Sequence, residues 1–125
     1  METVSPNIFV NDIEATIEWY QKLGFKIVTS VPDSNGNTIF VLMANGMTTF
    51  MFQTFKSIEN QLPAVKRTDG GSLLLYIKMN GIRDFFELVK DKVSIMSGLE
   101  KTFYGATEFS VIDPNNFVLT FAEDE

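Results

Sequence analysis

Histidine and cysteine are both absent from this sequence. Without histidine the chain has neither the commonest general base at neutral pH nor the commonest transition-metal ligand. Without cysteine it has no disulfide, no thiolate nucleophile and no zinc–thiolate site. No apolar run approaches the roughly 18 residues that a membrane-spanning helix needs. The first residues, Met1-Glu-Thr-Val-Ser-Pro6, lack the basic region and apolar run of a signal peptide. A cytoplasmic location is therefore expected, with no membrane partner. Lysine and arginine are few and scattered, 10 against 16 acidic residues, for a net charge of −6. Phosphate binding needs clustered cations, so a nucleic-acid partner is not expected.

What is present is apolar bulk. Of 125 residues, 45% are hydrophobic, with 12 phenylalanines and 6 methionines. That length and composition fit one domain with a large-sided, adaptable core.

The clearest stretch is residues 103–123. Phe109 and Val111, then Phe117, Leu119 and Phe121, recur at every second residue, the period of a half-buried strand. Asp113-Pro-Asn-Asn116 between them is turn chemistry, because proline fixes φ and asparagine tolerates the left-handed region. The stretch is a predicted β-hairpin.

The rest of the chain reads in order. A strand is expected over 4–10, with Ile8 and Val10 on one face and Ser5, Asn7 and Phe9 on the other. Asn11-Asp12 caps a helix over 13–23, where Ile13, Ile17 and Tyr20 form an apolar stripe and Gly24 ends it. Strands follow over 25–31, 38–44 and 47–55, joined through Asn35-Gly36 and Asn45-Gly46. Residues 56–71 change to a polar linker with one turn of helix near 57–62. The pattern then restarts, with a strand over 72–79, a helix over 82–93, a connection over 94–97 and a weak strand over 98–103 before the hairpin. Two copies of β-α-β-β-β result: module one over 3–55, linker 56–71 and module two over 72–123. The repeat shows residue by residue. Phe9, Asn11, Ile13 and Glu18 align at a constant offset with Lys78, Asn80, Ile82 and Glu87. The expected fold is α+β, a concave mixed sheet with the helices on its outer face.

Two motifs carry a family resemblance. Phe9-Val-Asn-Asp-Ile with Trp19-Tyr20 and Leu23-Gly-Phe25 is the first. Tyr104-Gly-Ala-Thr-Glu-Phe-Ser-Val-Ile-Asp-Pro-Asn-Asn116 is the second. Together with the duplicated module they resemble the vicinal oxygen chelate superfamily, which includes glyoxalase I, extradiol dioxygenases and the bleomycin- and fosfomycin-resistance proteins. Asn116 stands where that family usually has glycine. The resemblance implies a cleft over the concave sheet. It also implies metal-ligand positions at Ser5, Met51 (or Gln53), Leu74 and Thr120. None of these is a histidine or a carboxylate, so the family's metal is not expected here, and no other cofactor is assigned.

Alternation assigns the cleft face. The candidate ligand-binding residues are Ser5, Asn7, Phe9, Met51, Gln53, Leu74, Tyr76, Lys78 and Thr120, with Phe55, Val118 and Ala122 beside them and Tyr104 at the mouth. Trp19-Tyr20 is assigned to core and helix surface, Asp12 to a helix cap, Asp113 to the turn and Glu123-Asp-Glu125 to a solvated tail. Glu108 is assigned to solvent or to a neighbouring strand, with a base in the cleft as the alternative. Two functions stay open. One is a metal-independent small-molecule-binding protein, acting as a homodimer. The other is a lyase, isomerase or dioxygenase-type enzyme working through Tyr76, Lys78, Glu108 or an unusual cofactor. No catalytic residue is assigned.

Overall fold

The computed structural model describes residues 1–125. By its internal contacts the chain divides into two units, Met1–Asp69 and Gly70–Glu125. Each holds one four-stranded mixed sheet with a helix on one face.

In the first unit the elements are β1 (Asn7–Val10), α1 (Ile13–Lys22), β2 (Lys26–Pro32), β3 (Thr38–Asn45), β4 (Thr48–Thr54) and a short α2 (Phe55–Ile58). The strand order is β1-β4-β3-β2, with β1 parallel to β4 and the other pairs antiparallel. α1 begins where Asp12, in extended conformation, accepts a hydrogen bond from the Ala15 N–H at 3.0 Å. It ends at Leu23, whose carbonyl accepts from Asn45 Nδ2 at 3.1 Å. Gly24 follows at φ 92°, and a Cβ there would stand 3.1 Å from the same Asn45 nitrogen. Glycine is thus needed both for the turn and for the close approach. The buried face of α1 meets Ile8, Val10, Val41, Met43, Phe50 and Phe52. Tyr20 is fully buried, its ring 4.6–5.7 Å from those of Trp19, Phe25, Phe50 and Phe52. Trp19 is buried as well, so the aromatic pair is core.

The second unit comprises β5 (Leu74–Lys78), α3 (Ile82–Val89), β6 (Ile95–Lys101), β7 (Ala106–Ile112) and β8 (Val118–Asp124). Its order, β5-β8-β7-β6, repeats the first unit's, again with one parallel pair, β5 and β8. Phe85 and Phe86 of α3 pack on Phe109 and Phe121 with ring centroids 5.0–5.9 Å apart. The two β-α-β-β-β modules and the α+β class are therefore present.

Several expectations need correcting. Phe55 does not continue β4; Thr54 accepts from the Ser57 N–H and starts α2 there. Residues 95–97 are strand, not connection: Ile95 pairs with Val111 and Ser97 with Ser110, although two irregularities interrupt β6 and disguise its alternation. α3 stops at Val89, short of Val93. The acidic end is no free tail. β8 runs to Asp124, Glu123 reaches α3, Asp124 pairs with Lys78, and Glu125 meets Thr107 and Arg83.

Candidate functional site on the open sheet faces

Alternation gives each sheet one face against its helix and one face turned away. On the first sheet the residues turned away on β1 and β4, Asn7, Phe9, Thr49, Met51 and Gln53, are uncharged, and all but the exposed Asn7 are half-buried; Lys26, at the β2 edge of the same face, is exposed. Ser5 and Thr49 share a hydroxyl hydrogen bond of 2.5 Å. Asn7 Nδ2 donates to Gln53 Oε1 at 3.1 Å, and Gln53 Nε2 donates to the Ser57 hydroxyl at 3.0 Å. Phe9 lies 6.3 Å from Phe55, ring to ring. Met51 pairs with Asn7 in register. These amides and hydroxyls already satisfy one another.

The second sheet is different. Phe109 and Val111 are buried against α3, so Glu108 and Ser110 stand on the opposite face. Ser110 pairs with Thr120, which pairs with Tyr76, so all three share that face. The Ser110 and Thr120 hydroxyls are 2.8 Å apart. Tyr76, 45% exposed on β5, reaches across β8 and donates its phenol hydrogen to Glu108 Oε2 at 2.5 Å. Tyr104, in the turn between β6 and β7, donates to the same oxygen at 2.6 Å. Gly105, at φ 86°, lets that turn close beside it. The Tyr104 ring meets Phe103 edge-on at 5.1 Å. Leu74, half-exposed, begins β5 on the same face. Lys78 ends β5, held by Asp124 at 2.6 Å.

Electrostatics fix the protons in this cluster. The hydrogen bond to Glu108, reinforced by burial and by the nearby negative charge, pushes the Tyr76 phenol well above the usual phenol range. Tyr104 moves the same way for the same leading reason. Both phenols therefore stay protonated and act as donors to one carboxylate.

Sequence reasoning placed Tyr76, Tyr104 and Thr120 among the candidates, and these share one patch. It kept Glu108 out of the ligand-binding set and held it only as the alternative base in the cleft. The signal was available: burial of Phe109 fixes the face of Glu108 by alternation alone. Tyr76 and Lys78, two of the groups through which an enzyme was expected to work, do not form a proton relay with each other, because each side chain turns to a different carboxylate. Two concavities lie elsewhere. One of about 410 Å³ is lined by Asn11, Asp33, Asn37 and Lys56 among others, and one of about 250 Å³ by Lys78, Met79, Asn80 and Asp124. In the larger one, Asp33 is committed to its own turn. The chemistry is concentrated at Glu108 instead.

The positions that match a metal site do not suit one. Ser5 and Thr120 offer hydroxyls already bonded to Thr49 and Ser110, Met51 a thioether, and Leu74 no donor at all. Taking Gln53 in place of Met51 adds only a neutral amide, already bonded to Asn7 and Ser57. No three His, Cys, Asp or Glu side chains come together in a way that could hold an ion. No helix is long and apolar enough to cross a membrane.

Known proteins share this architecture. A bleomycin-binding protein solved with bleomycin superposes with a TM-score of 0.68 at 18% identity, over 100% of both chains. A protein of unknown function from Agrobacterium tumefaciens gives 0.76 at 25% identity, over 100% of this chain and 95% of that one. A glyoxalase/bleomycin resistance protein/dioxygenase family enzyme from Burkholderia phytofirmans gives 0.76 at 22%, over 97% and 98%. No curated protein sequence matches significantly. The family model of the Glyoxalase/Bleomycin resistance protein/Dioxygenase superfamily matches residues 3–121. With nearly the whole sequence matched, and the duplicated module in place, the chain belongs to that superfamily.

Proposed function

We propose that this protein binds a small organic molecule on the open faces of its sheets, without a bound metal. The observation that carries this reading is the Tyr76–Glu108–Tyr104 cluster. A half-buried carboxylate and two phenols are held together on a face that no helix covers. Around it lie Leu74, Thr120 and Ser110. The first sheet presents Asn7, Phe9, Met51 and Gln53, with Ser5 just ahead of β1. Apolar walls with a few oriented polar groups are the usual composition of small-molecule sites. One similar fold holds bleomycin, but at 18% identity that likeness extends only to the fold.

Catalysis has weaker support, since the only candidate proton relay, Tyr76 with Lys78, is not assembled. We also propose that the protein acts as a homodimer, a reading supported by exposed apolar side chains such as Val28 and Met96.

Native mass spectrometry of the freshly purified protein tests the binding function. A stoichiometric small-molecule mass, released on denaturation, is expected. A protein that retains no mass, and whose open-face amide resonances ignore a library of small aromatic compounds, would sink the reading.

A further inference from the structure

We propose that Glu108, Tyr76 and Tyr104 form a subsite for a cationic nitrogen group, an amidinium, guanidinium or primary ammonium, on an organic ligand. This deepens the binding function above and rests on it.

The reason is the polarity of the hydrogen bonds. Each phenol has one hydrogen, and both are spent on Glu108 Oε2. What the cluster then offers outward is the second carboxylate oxygen and the lone pairs of two phenol oxygens. All are acceptors, and none is a donor. A carboxylate or phosphate group on a ligand would find no hydrogen to accept there, and would meet a negative charge. A neutral amide could satisfy only part of the array. A flat amidinium or guanidinium carries several N–H donors and a positive charge, and so matches it in both respects.

The local charge agrees. Glu108 forms no ion pair, and Glu100 faces it in register across β6 and β7, also unpaired. The one cation on β5, Lys78, is neutralised by Asp124. The cluster therefore keeps a net negative charge that its own side chains do not offset. Tyr76 and Tyr104, both substantially exposed, supply aromatic surface for the body of the ligand, and Leu74 extends it.

The test uses three probes with one ring and different charge: benzamidine, benzamide and benzoate. Amide and side-chain resonances are followed by NMR during titration of the full chain. Benzamidine is expected to shift residues around Glu108, Tyr76 and Tyr104, with an affinity about tenfold above that of benzamide, the difference a charge-assisted bond contributes. Benzoate is expected to leave them unmoved. Glu108→Gln should erase the preference for benzamidine over benzamide while the β7 and β8 amide pattern persists. Should that variant not fold, salt gives the second readout on the wild type: benzamidine binding should weaken with ionic strength and benzamide binding should not. Equal binding of benzamidine and benzamide overturns the cationic subsite but leaves small-molecule binding standing. Benzamidine shifts centred on Asp124 overturn the assignment to Glu108. Silence from all three probes overturns the subsite, and the retained-mass experiment then decides the broader function by itself.

Discussion

Two five-residue turns show how little sequence is needed to set a residue's conformation. At Asp33 the side chain accepts from the Asn35 and Asn37 N–H groups at 2.8 and 3.0 Å, and Gly36 sits at φ 84°. At Asp113 the side chain accepts from Asn115 and Phe117 at 2.9 and 2.8 Å, and Asn116 sits at φ 66°. Asn116 thus occupies the place of Gly36 in the same turn. The left-handed region costs an ordinary L-residue about 1–2 kcal/mol, a cost glycine does not bear and asparagine largely escapes. Asn116→Gly is expected to stay within about 0.5 kcal/mol of wild type. Asn116→Ala should fall about 1 kcal/mol below it, read as a lower denaturant midpoint at unchanged slope. Equal midpoints for the two variants would mean that the turn does not hold φ positive. Such positions were legible in the sequence because turn chemistry is local: Asp113, Asn116 and Gly24 announce themselves. Glu108 was legible in its face and hidden in its partners. Its two phenols arrive from β5 and from the β6–β7 turn, and no local rule connects them.

At the scale of elements, α3 shows where local signals end. Its N-terminal position is Gly81, at φ 74°, with no side chain to cap the helix. The cap comes from β8: Glu123 Oε2 accepts from the Gly81 N–H at 2.9 Å and Oε1 from the Ile82 N–H at 3.1 Å. Asp12 caps α1 from the adjacent residue, as its sequence position announced. Glu123 sits at the other end of the module and read as part of a solvated tail. These two backbone bonds are the leading reason that its carboxyl is held below the ordinary 4.5. The sign of the pH effect follows. A carboxylate with a depressed folded value stabilises the fold above its unfolded value and loses that contribution as pH falls through the folded one. Glu123→Gln should therefore melt below wild type at pH 7, and the gap should close as pH drops from about 4.5 downward. A gap that persists unchanged below pH 3 would mean that the charged cap is not its source. Strand ends blurred for related reasons. β6 carries two irregularities that break the two-residue period, so residues 95–97 gave no clean alternation.

At the scale of the whole molecule, the duplication predicts where a second copy would bind. The edges of the sheets are poor templates for edge-to-edge pairing. β1 and β5 are short, with 4 and 5 residues, while β2 and β6 are interrupted by irregularities. Short and bulged edges resist strand addition. Yet both interrupted strands expose apolar side chains: Ile27, Val28 and Val31 on β2, and Met96 on β6, with Val28 and Met96 each 60% exposed. These are the equivalent strands of the two modules. A two-fold dimer can cover the exposed side chains of either strand with those of the same strand in its partner, so burial of side chains, not backbone pairing, would drive the association. The double variant Val28→Lys with Met96→Lys is expected to shift the protein from dimer to monomer in light scattering. Its melting curve should remain cooperative, because neither residue belongs to the core of its unit. A wild-type protein that stays monomeric at high concentration would remove the dimer altogether. A variant that stays dimeric would place the interface on another part of the surface.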